Sequence, residues 1–368
     1  MMSRPALTAL AQSLPETVPF VGPEALERRS GRPFRARLGA NESGFGPAPS
    51  VIAALAGATG DVWMYGDPEN HDLRHALADH LAVAPENVMV GEGIDGLLGL
   101  VARLYLNPGD KVVTSLGAYP TFNFHVAGFG GQLVTVPYEA DRESLSALAE
   151  AARRENARLV YLSNPDNPMG TWWPAAEVEA FATSLPDTTL LLLDEAYGET
   201  APAGTLPPLD VTRPNILRFR TFSKAYGLAG LRCGYAIGEA QAIRAFDKVR
   251  NHFGVNRQAQ VAALAALADQ PYLEATLANI AAGRDTIAAI ARDNGLTPIP
   301  SATNFITVDC GRDGAFAMAV LQALANRGVF IRKPMAPTLD RCIRISVGRP
   351  EEIAIFAKEL PGALRDVR

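Results

Sequence analysis

Cysteine is scarce: the 368 residues hold three, Cys233, Cys310 and Cys342. An odd number without CxxC spacing argues against a disulfide framework and points to buried thiols of a cytoplasmic protein. There is no basic tract, and a net charge of -5 gives no reason to expect nucleic acid as a partner. No apolar run reaches membrane-spanning length, and "MMSRPALTALAQSLPETVPFVGPEAL" is broken by prolines and acids before a signal-peptide core develops. Neither a membrane nor export is expected. No internal repeat, low-complexity tract, DNA-binding module or GxSxG nucleophile motif is present. His71 and His75 stand at i, i+4 spacing but lack an accompanying acid or cysteine set, so surface or capping roles are expected over zinc.

What remains is an ordinary soluble composition, 48% hydrophobic and 20% charged, in a chain too long for one typical core. Strand-like runs alternate with helical patterns from Asn87 to Gly238: "NVMVGEG", "DKVVTS", "QLVTVPY", "ARLVYLSN", "TTLLLLDEAY", "ILRFRTFS" and "CGYAIG". That alternation predicts an α/β fold, a mostly parallel sheet flanked by helices such as "IDGLLGLVARLYL" and "SLSALAEAARREN". From about Gln258 the texture becomes alanine-rich helix, then "NFITVDC", a helix at "AFAMAVLQALANRG" and a strand at "CIRISVG". The expected domains are an N-terminal arm over 1–40, lying on the small domain or a partner chain, a large domain over 41–257 and a smaller α+β domain over 258–368. A long helix connects the two domains.

"GEGIDG", residues 91–96, satisfies GxGxxG between a predicted strand and a predicted helix. A dinucleotide site would also want an acid closing the next strand, and "KVVTSLGAY" offers hydroxyls instead. What survives is the physics of a helix start, whose backbone N–H groups bind a phosphate of some kind. A tight turn with no ligand is the plain alternative.

Several residues make sense only together. "LLLLDEAY" ends an apolar strand at Asp194, where a carboxylate caps a helix or faces a cofactor's pyridinium nitrogen. Tyr197 follows three residues on, and Asn167 lies in "SNPDNPMG", either a structural turn or an amide presented to a ring hydroxyl. Tyr119 in "GAYPTF" is a core aromatic or the platform for a flat ligand. In "LRFRTFSKAYGLAGLRCGYAIG", Thr221 and Ser223 supply hydroxyls and Arg232 a forked cation suited to phosphate oxygens. Lys224, between them, suits Schiff-base chemistry with an aldehyde.

These residues resemble those of the fold type I pyridoxal-phosphate enzymes, and more narrowly the histidinol-phosphate aminotransferase-like branch of the class I/II aminotransferases. The resemblance runs from about Gly39 to Gly348, with "SKAYGLAGLRCGY" its most specific segment. It implies pyridoxal 5'-phosphate as cofactor, Lys224 as the lysine that carries it, Asp194 as the ring-nitrogen partner and Tyr197 and Asn167 as partners of the phenolic oxygen. Tyr119 resembles the stacking ring, and Gly93, Ile94, Asp95, Thr221, Ser223 and Arg232 match the phosphate cup. "YGDPENHDLR" resembles the segment whose tyrosine, here Tyr65, reaches the neighbouring subunit's cofactor phosphate, which implies a homodimer. "ANESGFGP", with Asn41, and "RISVG", with Arg344, resemble the substrate-side segments, to which Asn167 also belongs.

The implied reaction moves an amino group from an amino acid or amino-phosphate donor to a 2-oxo acid. A decarboxylase of threonine-phosphate type is the alternative on the same scaffold; a nicotinamide oxidoreductase and a non-catalytic regulatory domain are more distant ones. The chain departs from the family pattern at Asp95-Gly96 (for Asp-Glu), at "DNPMG" (for Asn-Asn-Pro-Thr-Gly) and in its N-terminal arm. Those departures argue for a donor other than histidinol phosphate itself. Arg332, Lys333 and Arg349 add positive charge near Arg344, either for an acidic or phosphorylated substrate or as solvated surface.

Overall fold

The computed structural model describes residues 4–16 and 21–367. Residues 1–3 and 17–20 of the expected arm lie outside them. The seven apolar runs are the strands of one sheet: β1 (Val88–Gly91), β2 (Lys111–Ser115), β3 (Gln132–Val136), β4 (Leu159–Ser163), β5 (Leu190–Asp194), β6 (Ile216–Thr221) and β7 (Gly234–Gly238). Their spatial order is β1-β7-β6-β5-β4-β2-β3. The pairs from β6 across to β3 are parallel, and β7 runs antiparallel to both its neighbours.

Strands such as "LLLLD" are buried at every position, the pattern of a sheet covered on both faces. Period-two alternation sorts the side chains. In β4, Tyr161 packs with Phe122 and the Gly93–Tyr105 helix, while Val160 and Leu162 pack against the Leu145–Arg154 and Ala175–Ser184 helices. In register, Ser163 lies opposite Asp194, and Gly234 opposite both Thr221 and Gly91. The carboxyl ends of β1, β4, β5 and β6 therefore form one row, where open α/β sheets place their ligand crevice.

A second sheet is antiparallel and three-stranded: Thr297–Pro298, then β8 (Phe305–Asp309), then β9 (Cys342–Ser346). Ile306, Val308, Ile343 and Ile345 bury against the helices Gln270–Asp293, Gly314–Asn326 and Pro350–Asp366. Residues 35–37 run along this unit, with Ala36–Arg37 pairing parallel to Val329–Phe330 and Arg35 ion-paired to Glu359 at 2.7 Å.

The single connecting helix expected after Gln258 is two helices, Arg257–Ala268 and Gln270–Asp293. Asp269 leaves helical backbone, its carboxylate accepts the Tyr272 N–H at 3.2 Å, and Pro271 sits in the new first turn. A capping acid followed by proline restarts a helix rather than continuing one. The restarted helix joins the two parts: Leu273 belongs to the core that holds β1 and β7, Ile287 to the core that holds β8 and β9.

Candidate active site

The row of strand ends opens into a cavity of about 330 Å³. Its lining includes Ile94, Asp95, Tyr119, Asn167, Asp194, Tyr197, Thr221, Ser223, Lys224 and Arg232, ten of the residues singled out in the sequence. Gly93, Asn41 and Arg344 are not in that lining but each adjoins a residue of it, Arg232, Tyr197 and Asn167 respectively.

Asp194 sits at the floor, 4% exposed. Burial lifts its pKa to about 6, against the pull of two hydrogen bonds, from the Tyr161 hydroxyl at 2.6 Å and the Ala196 N–H at 2.9 Å. A carboxylate held so firmly is an acceptor for one cation or ring N–H and little else. Tyr161 was not among the sequence candidates. Its signal was available, because a tyrosine inside an aliphatic strand must find a partner for its hydroxyl.

Lys224 follows β6, and its Nζ donates to the Asn41 carbonyl at 3.3 Å and lies 5.6 Å from the Tyr197 ring centre. Tyr197 accepts the Asn41 amide N–H at 3.0 Å. Asn41 has a left-handed backbone (φ 56°) and is tied to β9 through Ser346, whose hydroxyl bonds both its N–H and its Oδ1 at 2.9 Å. Asn304 donates to the Asn41 carbonyl at 2.9 Å. The small sheet thus fixes the loop that contacts both Lys224 and Tyr197, a linkage of residues far apart in sequence.

The opposite end is an anion cradle. Thr221 and Ser223 hydroxyls lie 2.9 Å apart, and Arg232 reaches Ser223 at 3.3 Å and Asp95 at 3.8 Å. The Gly93–Tyr105 helix starts here, with Ile94 and Asp95 of its first turn in the cavity lining, and a helix start is a ready anion site. Gly93 has φ +74°, and a Cβ there would lie 2.6 Å from Arg232 Nη2, so only glycine lets the guanidinium approach the helix start. The Asp95 Oδ1 is buried without a partner. Burial, then the Asp95 charge, push the Tyr119 hydroxyl upward, so it stays a neutral phenol beside the cavity. An acid at one end, a cationic hydroxyl-lined cradle at the other and an amine between them fit the three polar ends of pyridoxal phosphate.

Arg344 projects from β9, its Nη1 donating to the Asn167 Oδ1 and its Nη2 to the Gly39 carbonyl at 3.4 Å. Its Nε is buried without a partner, and burial lowers its pKa to about 10. Tyr65 lies elsewhere: it is 76% exposed, its ring centre is 4.6 Å from that of Phe253 in a tilted pair, and it is not in the cavity lining of its own chain. The His71 and His75 rings meet in a tilted pair, centres 4.0 Å apart, and no metal-holding cluster occurs among the described residues. "GEGIDG" forms the helix start of the cradle.

The class of protein follows from the whole: a pyridoxal-phosphate-dependent aminotransferase. The family model for aminotransferase class I and II matches residues 36–360. The chain is 39% identical over 361 residues to a histidinol-phosphate aminotransferase of Roseiflexus castenholzii, covering 95% of this chain and 94% of that one. It is 34% identical over 352 residues to that of Moorella thermoacetica, covering 95% and 90%. Among solved structures, the histidinol-phosphate aminotransferase from Sinorhizobium meliloti in complex with pyridoxal-5'-phosphate superposes with a TM-score of 0.97 at 57% identity, covering all of both chains. The chain belongs to the class I and II aminotransferases and, within them, to the histidinol-phosphate aminotransferase family. The nicotinamide and regulatory-domain alternatives fall with that membership.

Proposed function

We infer that this chain, as a cytoplasmic homodimer, transfers the amino group of histidinol phosphate to a 2-oxo acid. The observation that carries the reading is the sharing of one cavity by Asp194, Lys224 and the Arg232 cradle. Bound there, pyridoxal phosphate supplies an electron sink for the donor's α-carbon. Gly93, Ile94, Asp95, Thr221, Ser223 and Arg232 would hold its phosphate, Tyr119 would lie against its ring, and Asp194 would keep the ring nitrogen protonated. Asn167 and Tyr197 would bond its phenolic oxygen. Lys224 Nζ takes the proton from the donor's α-carbon and carries it across the site; its hydrogen bond to a neutral carbonyl leaves it free to swing.

Arg344 receives the donor's anionic group, supported by the buried Nε that has no partner. Arg332 follows it in space, since the two residues exchange backbone hydrogen bonds. Histidinol phosphate is favoured by the relatives' activity, against the expectation raised by the sequence departures. Two of the departures lie to the side of the anion site: Met169 is fully buried among Tyr138, Ile299, Leu339 and Cys342, and a Cβ at Gly96 would face Glu92; another, Asp166, adjoins Asn167, which Arg344 bonds. The homodimer is supported by the exposed apolar side chains Ile52, Val62, Trp63, Tyr65 and Phe253, with Tyr65 serving the partner's site. No helix among the described residues is long and apolar enough to cross a membrane, and all three cysteines are free and buried, which supports a reducing compartment.

A panel of donors with 2-oxoglutarate, read by the cofactor's absorbance, tests the reading. Histidinol phosphate is expected to convert the cofactor to its amine form fastest. Carbon dioxide release without that conversion would establish the decarboxylase instead. Arg344→Ala is expected to raise the donor KM by at least about tenfold, the loss of one charge-assisted contact, while cofactor stays bound.

A further inference from the structure

Two buried carboxylates stand behind the cavity wall and take no part in the reaction above: Asp166, 2% exposed, and Glu143, 1% exposed. Glu143 accepts the Ser115 hydroxyl at 2.6 Å and the Ser163 N–H at 2.9 Å. Asp166 accepts the Tyr138 hydroxyl at 2.7 Å and the Met169 N–H at 2.9 Å. Both donors to Asp166 are neutral. Among the described ion pairs none brings a basic side chain onto it, so its charge is offset only from a distance.

The nearest compensation is Arg344. That guanidinium bonds the side chain of Asn167, the residue next to Asp166, and each charge favours the ionised form of the other. A buried arginine with no counter-charge is expensive, whereas a carboxylate bonded directly to its fork would occupy the donors a substrate needs. A carboxylate one residue removed avoids both problems. Where the family pattern has asparagine, this chain has placed that charge.

We propose that Asp166 is a positioning residue that sets the affinity of the Arg344 anion site, its carboxylate charge offsetting the guanidinium from behind through the Asn167 turn. The proposal rests on Arg344 receiving the donor's anionic group. With Asp166 ionised, an incoming anion meets a partly neutralised cation; with Asp166 protonated, it meets the full charge, so anion binding is coupled to proton uptake. The titratable and charged groups facing Asp166 are Tyr138 and Glu143 from the hairpin between β3 and β4, and Arg344 from β9. Cys342 packs with Tyr138 and Met169 in the same cluster. Burial pushes Tyr138, Glu143 and Cys342 upward, and it raises Asp166 to about 7.

Asp166→Asn tests this in the holoenzyme. The amide has the same shape and keeps both bonds, its oxygen accepting from Met169 and its nitrogen donating to Tyr138. Sulfate, a dianion throughout, serves as the competitor against the amino donor. The expected result is sulfate bound about tenfold more tightly by Asp166→Asn at pH 8, with kcat and the cofactor spectrum unchanged. In the parent enzyme sulfate affinity falls between about pH 6 and pH 8, and in Asp166→Asn that slope flattens. Tyr138→Phe, which removes the hydroxyl that favours the ionised carboxylate, is expected to move the fall to higher pH. Equal sulfate affinities and parallel pH profiles would overturn the proposal, as would a raised donor KM with lost kcat, which marks Asp166 as a fastener of the turn only. If Arg344→Ala leaves sulfate binding unchanged, it is the assignment of the anion site that fails, whatever Asp166→Asn does.

Discussion

Tyr161→Phe removes one oxygen from the floor of the site and leaves the ring stacked on Phe122 at 4.9 Å. The lost oxygen donates to Asp194 at 2.6 Å, one of two hydrogen bonds holding that buried charge. A hydrogen bond to a charged group contributes about 1.5–3 kcal/mol, and about 1.4 kcal/mol corresponds to one in pKa. The Asp194 carboxyl should therefore rise from about 6 to roughly 7–8 in the cofactor-free protein. Because its folded pKa lies above the ordinary 3.8, Asp194 contributes stability that is fully present below that value and lost as pH rises through the folded pKa. In the variant the loss continues further up the scale. Urea unfolding of the cofactor-free protein should show a deficit of about 1 kcal/mol near pH 5, where both carboxyls are protonated. By about pH 8.5 the deficit should grow by a further 1.4–3 kcal/mol or so. A deficit that is the same at both pH values would refute the placement of Tyr161 as a support for the Asp194 charge.

Gly93→Ala forces a side chain into left-handed backbone at about 1–2 kcal/mol and sets a Cβ 2.6 Å from Arg232 Nη2. Cofactor Kd, measured by fluorescence titration, should rise at least about tenfold, with a stability loss no larger than the backbone term. Subunit mixing tests Tyr65: Tyr65→Ala and Lys224→Ala proteins, each impaired alone, should regain activity when mixed, because a hybrid dimer contains one site with both native residues. No recovery would mean that Tyr65 acts within its own chain or not at all. Borohydride reduction followed by digestion should tag the peptide that carries Lys224, and a tag on any other peptide would displace it from the centre of the site.

The sheet was legible because seven aliphatic runs buried on both faces have few other ways to hide, and the candidate site was legible because strand-end acids, turn hydroxyls and a lysine recur at ligand crevices. The helix break at Asp269 was local chemistry, a capping acid before a proline, hidden within an alanine-rich texture that suits one helix as well as two. Tyr161 could be noticed as a tyrosine inside an aliphatic strand, but not its target Asp194; Ser346, Asn304 and Asp166 were not legible, because each acts through a neighbour from a distant part of the chain: Ser346 and Asn304 on Asn41, Asp166 behind Arg344.

The order of residues along the chain determined which strands form, which helix start offers its N–H groups to an anion, and which amine, acid and cation the crevice can hold, since periodicity and side-chain chemistry are local properties. Only the tertiary structure decided how those groups are tuned. Burial lifts Asp194 and lowers Arg344, and the small sheet locks Asn41 against Tyr197 and Lys224, because desolvation and contacts between distant segments exist only once the two sheets have closed on each other.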